Sequence, residues 1–148
     1  YNVDEPQLVT KQRSIYSYDV KRNRKEIVSY KKDGSVSGRS VFTFDSQGNI
    51  TEFAAYDAHG SVTFRLVHRY DDRGNNNETL SYKHDGTVVS RSISSFDENG
   101  NNTEKNVYKG DGSLDYKVLN KYDANGKKIE ENFYNVAGKL DEKRIYRF

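Results

Sequence analysis

The chain has 148 residues, of which 33% are hydrophobic and 31% charged, and its mean hydropathy is −1.02. So little apolar material excludes a thick globular core and leans toward disorder, unless another regularity holds the chain together. A net charge of +2 with both signs interspersed excludes the concentrated basic stripe of a nucleic-acid binder, no apolar run is long enough to span a bilayer as a helix, and the absence of cysteine excludes disulfides and thiolate metal sites.

In chain order, residues 1–9 fit no pattern and read as an N-terminal arm or linker. Residues 10–17 read as one strand of a partial repeat, with Arg13 and Ile15 in register with the complete units. Five uninterrupted units come next, 18–43, 44–69, 70–95, 96–121 and 122–147, each 26 residues long. Every unit opens on an aromatic residue (Tyr18, Phe44, Tyr70, Phe96, Tyr122, with Phe148 closing the chain) followed by Asp. Four positions later stands Gly48, Gly74, Gly100 or Gly126, with Arg22 as the exception. Then come Glu26, Glu52, Glu78, Glu104 and Glu130, and after them Tyr30, Tyr56, Tyr82, Tyr108 and Tyr134. A second glycine series (Gly34, Gly60, Gly86, Gly112, Gly138) precedes Val36, Val62, Val88, Leu114 and Leu140. Each unit closes with a basic residue (Arg39, Arg65, Arg91, Lys117, Lys143) and a branched apolar one (Val41, Val67, Ile93, Leu119, Ile145).

Each unit carries two turn signals, D-x-x-G-N and mostly x-D-G, separated by about eight or nine residues that span about 25–30 Å as a strand. Asp before the bend accepts backbone N–H groups, and Gly supplies the positive φ that a bulged three-residue hairpin loop requires. Consecutive short hairpins predict an all-β fold: an antiparallel meander forming a single-layer sheet, curled or spiralling at this strand number.

The repeat period is even, and so is the step between the two aromatic positions. Regular alternation therefore predicts both aromatic series on one face as two ladders, with the Val36-type residues opposite the Tyr30 type. The glutamates fall on that face at mid-strand. The basic series falls on the other unless a bulge shifts its parity, and charge pairing across strands is expected because a row of carboxylates repels itself.

The chemistry expected is structural. His59, His68 and His84 share no repeat position, and every recurring polar residue occurs five times, whereas a catalytic constellation is singular. The string "DENGNNTE" has its Gly two places too early for a calcium loop, and turn chemistry accounts for it. No enzyme activity, cofactor or metal is expected. The aromatic and charged series are the candidate binding or structural residues, and carbohydrate stacking on the tyrosines is the alternative to a purely structural role.

The strings "YSYDVKRN", "FTFDSQGN", "RYDDRGN" and "KYDANGK" resemble the YD (RHS) repeat family of bacterial cell-surface and toxin-associated proteins, through residues 16–148. The period here is longer and more uniform, and the glutamate series is an addition. The resemblance implies spiralling, non-catalytic sheets that build shells, stalks or adhesive surfaces, at an extracellular or surface location. A chain that opens on Tyr1 rather than Met is expected to be a processed or excised piece. Partners expected are copies of the chain itself, through the open sheet edges or a sheet face, or else a carbohydrate or another surface protein.

Overall fold

The computed structural model describes residues 13–19 and 24–148; the predicted arm, residues 1–9, and the Arg22 exception lie outside the described residues. Eleven strands succeed one another: β1 Arg13–Tyr18, β2 Arg24–Tyr30, β3 Val36–Phe44, β4 Ile50–Tyr56, β5 Val62–Tyr70, β6 Asn76–Lys83, β7 Val88–Phe96, β8 Asn102–Lys109, β9 Leu114–Tyr122, β10 Lys128–Asn135 and β11 Leu140–Ile145. They form one antiparallel sheet in sequential order, an open meander in which β1 and β11 are the ends.

The turns are of one kind. From Lys31 to Lys139, nine loops each close with two backbone bonds, such as Asp45 N–H to Asn49 O at 2.9 Å and Gly48 N–H to Asp45 O at 3.2 Å. The last loop glycine has φ between 72° (Gly138) and 89° (Gly48), which a Cβ would strain. Aspartate locks the loops in two ways. At the first loop position, Asp45, Asp71 and Asp97 each accept two backbone N–H bonds and one from the Asn four residues on. Where that position is lysine, Asp33, Asp85 or Asp111 at the third position accepts the backbone N–H two residues ahead. These bonds favour the ionised form, and all six carboxyls are held below their ordinary range.

β1 and β2 pair without a shift, but from the β2–β3 hairpin onward the register departs from simple alternation once per hairpin. Tyr30 stands opposite Val36 but Ser29 opposite Gly38, so Ser37 has no partner. The same shift leaves Thr51, Thr63, Asn77, Val89, Thr103, Asp115, Ile129 and Asp141 unmatched in the later strands. Each is a bulge just inside its turn, and the hydroxyls of Thr51, Thr63 and Thr103 bond the carbonyls of Thr43, Ala55 and Ser95.

This corrects the single aromatic face. Partners across a strand pair share a face, so the bulge reverses the parity of everything beyond it. The Tyr30 type shares one face, here the glutamate face, with the Glu, basic, Val36 and Val41 series. The Tyr18 type lies on the opposite face with Phe42, Phe53 and Phe64.

The bulges also shear the sheet. Thr43, Glu52, Val67, Leu80, Arg91, Tyr108 and Leu114 stand side by side across successive strands, so each repeat is displaced two residues against the last. Two residues are about 7 Å along the strands for about 10 Å across them, which tilts the repeat axis about 35° from the hydrogen-bond direction. Burial is thin on both sides. Among the described residues only Val41, Ala54, Val107 and Val118 are buried apolar side chains, and none is completely enclosed.

Candidate functional site

On the glutamate face every recurring glutamate meets the basic residue 13 positions later. Arg39–Glu26 is 3.2 Å, Arg65–Glu52 3.6 Å, Lys117–Glu104 2.9 Å and Lys143–Glu130 3.1 Å, and the Arg91 Nε donates to Glu78. The two members sit diagonally on neighbouring strands of one hairpin, which is possible because the bulge between them brings both onto one face.

Two of the five carboxylates receive a second cation from the preceding strand. Arg69 Nη1 donates to Glu78 at 2.6 Å, and Lys121 Nζ lies 3.0 Å from Glu130. The positions equivalent to Arg69 are Thr43 opposite Glu52 and Ser95 opposite Glu104. The side chain of Glu78 is accordingly 10% exposed and that of Glu130 15%, against 40% for Glu52. Burial raises the Glu78 pKa, but Arg91 and Arg69 outweigh it and hold the carboxyl below the ordinary range. At Glu130 the Asn132 amide, then Lys121 and Lys143, bring the pKa down to about 2. Glu104 is lowered by Asn106 and Lys117. A search for a series present in every unit passes over Arg69 and Lys121, because their position is cationic in only some units.

The tyrosines of this face are spacers within the charge network. The Arg39 guanidinium lies 4.3 Å from the centroid of Tyr56 and that of Arg65 4.5 Å from Tyr82, while Arg13 lies 5.9 Å from Tyr30. Tyr108 and Tyr134 instead border shallow clefts of about 330 Å³ each. The second is lined by Leu114, Lys117, Leu119, Tyr134 and Gly138, and the first by their counterparts 26 residues earlier. On the opposite face the Tyr70 and Tyr122 hydroxyls bond the Ile50 and Asn102 carbonyls, both at 2.8 Å, and so tie down the bulged starts of β4 and β8. Among the described residues one ring–ring contact occurs, Phe42–Phe53 at 5.0 Å. The expected aromatic ladders are therefore not formed: the bulge separates the two series, and cations or aliphatic partners intervene between rings.

The histidines remain apart. His68 bonds Thr79 and Asn76 on β6 and is held below its ordinary pKa by burial, while His59 and His84 lie in loops. No group of three or more metal-ligating side chains occurs among the described residues, and no helix is long and apolar enough to cross a membrane.

The sheet ends are the other candidate. All six residues of β1 and all six of β11 are exposed, and each strand has one edge without a neighbour among the described strands.

No protein-family model matches the chain, and no curated protein does. Solved structures resemble it weakly. A protein of unknown function from Bacteroides fragilis is 17% identical, over 91% of this chain and 93% of its own, with a TM-score of 0.42. A TcdB2-TccC3-TEV structure is 13% identical over 89% of this chain, with a TM-score of 0.40. A Photorhabdus luminescens Tc holotoxin pore is 11% identical over 88%, with a TM-score of 0.31. The chain spans only 8% and 9% of those two. Likenesses this weak carry no argument about what the chain does.

Proposed function

We propose that this chain is a YD-like structural module of a bacterial surface or secreted protein, a non-catalytic sheet that assembles with copies of itself through its end strands. The observation that supports the reading is the pair of exposed, unpaired edges on β1 and β11. An edge of unpaired N–H and C=O groups is a template for strand addition, and natural sheets block it with proline, bulges or a covering segment. Nothing among the described residues covers either edge. A chain of identical units whose recurring side chains are consumed in pairing with one another suits a scaffold, because these groups are committed to cohesion and not to a substrate.

The test uses electron microscopy and sedimentation of the purified chain. The Asp19 N–H bonds the Arg24 carbonyl and the Tyr146 N–H the Ile129 carbonyl, so the N–H groups of Ser14 and Ile145 point to the open edges. The double variant Ser14→Pro, Ile145→Pro removes an edge donor at each end while leaving the internal ladders intact. Wild-type protein is expected to form extended assemblies and the double variant to lose them. Monodisperse monomers of the wild type, or assemblies that ignore both prolines, contradict the reading.

A further inference from the structure

We infer a second self-association surface, distinct from the strand edges: the aromatic half of the face opposite the glutamates, which packs against the same patch of a second copy. The inference rests on the reading of a self-associating module but assigns it a different contact.

The register places Phe42 and Phe44 of β3, Phe53 of β4, and Phe64, Leu66 and Tyr70 of β5 on this face. Four of the chain's seven phenylalanines are thereby gathered on three adjacent strands. Ile27 of β2 continues the patch, and β1 adds Tyr16 and Tyr18, residues that are 60% and 59% exposed. The only charged strand residue on this face from β1 to β5 is Lys25, and its ammonium lies over rings of the patch, 5.1 Å from Tyr16 and 6.0 Å from Phe42. Beyond β5 the face changes character. Asn76, Thr79 and Ser81 on β6 and Ser90, Ser92 and Ser94 on β7 take over.

In a single-layer sheet nothing from the described chain lies above these rings. Five strands at their usual spacing, about 25 Å long, have a footprint of about 600 Å², in which the phenylalanines are half-buried by their neighbours and Tyr16 and Tyr18 stand exposed. That footprint lies at the upper end of the roughly 300–600 Å² reached by the largest apolar patch of a monomer, and patches of that size are often functional. Two copies related by a two-fold axis bury about 1,200 Å² together, which clears the threshold of about 1,000 Å² for a specific interface. The same face of a second copy is a fitting occupant. It matches in area, it brings no carboxylate into the contact, and face-to-face sheets interdigitate side chains across about 10 Å in the manner these rings allow. The glutamate face of the same strands could not serve, since docking there would desolvate the Arg39–Glu26 and Arg65–Glu52 pairs.

The decisive experiment is sedimentation velocity on the edge-blocked Ser14→Pro, Ile145→Pro chain over a micromolar concentration series. A species of twice 17.1 kDa is expected, and adding Phe53→Lys with Phe64→Lys is expected to return it to monomer with an unchanged β-sheet spectrum. An edge-blocked chain that stays monomeric overturns the inference and leaves the edge reading standing. A dimer that survives both lysines overturns it as well. Should the lysine variant lose its sheet signal, Ser40→Cys decides the matter, since the chain has no other cysteine and Ser40 lies on this face. Its alkylation is expected to slow several-fold as the edge-blocked chain is concentrated. A rate independent of concentration overturns the inference.

Discussion

Strands β1–β5 and β6–β11 share one backbone plan and differ in what they present. From β2 onward the loops, bulges and 26-residue register are the same in both halves. In the first half Glu26 and Glu52 each have one cationic partner among the described residues, and the opposite face is aromatic. In the second, again among the described residues, Glu78 and Glu130 are each held by two cations and Glu104 by Lys117 alone, and the opposite face turns largely polar from β6. Recurring positions build the sheet; the positions that vary between repeats decide what it meets.

The largest expected effect tests the shared part. Gly48→Val and Gly100→Val each place a β-branched residue at a φ above 80°, and each is expected to cost about 2 kcal/mol. Chemical denaturation should give the two variants equal losses, and a clear inequality would break the claim that the turns are interchangeable.

Next in size is the contrast between carboxylates. Glu78→Gln removes charge-assisted bonds to two arginines from a largely buried side chain. The arginines are themselves half to two-thirds exposed, so the loss is expected at about 2 kcal/mol. Glu52→Gln, at a half-exposed single pair, is expected to cost less than about 1 kcal/mol. Equal costs would remove the distinction. Exchanging the second cation sharpens it further: Arg69→Thr should destabilise the chain by about 1 kcal/mol, and Ser95→Arg, opposite Glu104, should stabilise it by about 0.5 kcal/mol. Thermal denaturation at low salt resolves the signs, and raising the salt should shrink both shifts.

The smallest expected effect is a titration. The Glu130 pKa falls from 4.5 to about 2 on folding. A lowered folded-state value means that its contribution is complete above pH 4.5 and is lost as pH falls from there toward 2. Carboxyl carbon shifts should track Glu130 titrating near the bottom of that window, and Lys121→Ser should move it upward. Titration near 4.5 in the wild type would contradict the two-cation geometry.

Much of this fold is legible in the sequence. Asp and Gly at fixed spacing announce the loops because only certain residues satisfy a three-residue bulged turn, and the even spacing between them delimits the strands. The second bulge is not legible. Its unmatched residue is Thr51, Thr63 or Thr103 in some hairpins but Val89 or Ile129 in others, so residue type does not betray it. Assuming strict alternation then puts Tyr30 and Tyr18 on one face and separates Glu26 from Arg39, both the reverse of what is found. The aromatic patch escapes a repeat search for another reason. Phe42, Phe53 and Phe64 occupy positions held by His68, Thr79 and Ser90 in the next repeat, so they form no series.

Everything about the two faces depends on the unmatched residue after each turn, and a nuclear Overhauser experiment reads it directly. From Tyr56 opposite Val62, the bulge at Thr63 brings Val67 opposite Glu52. Uninterrupted alternation would bring Leu66 there instead. Backbone cross-peaks that pair Glu52 with Val67 are expected, and cross-peaks that pair it with Leu66 would contradict the bulge and the sorting of charge from aromatics that it produces.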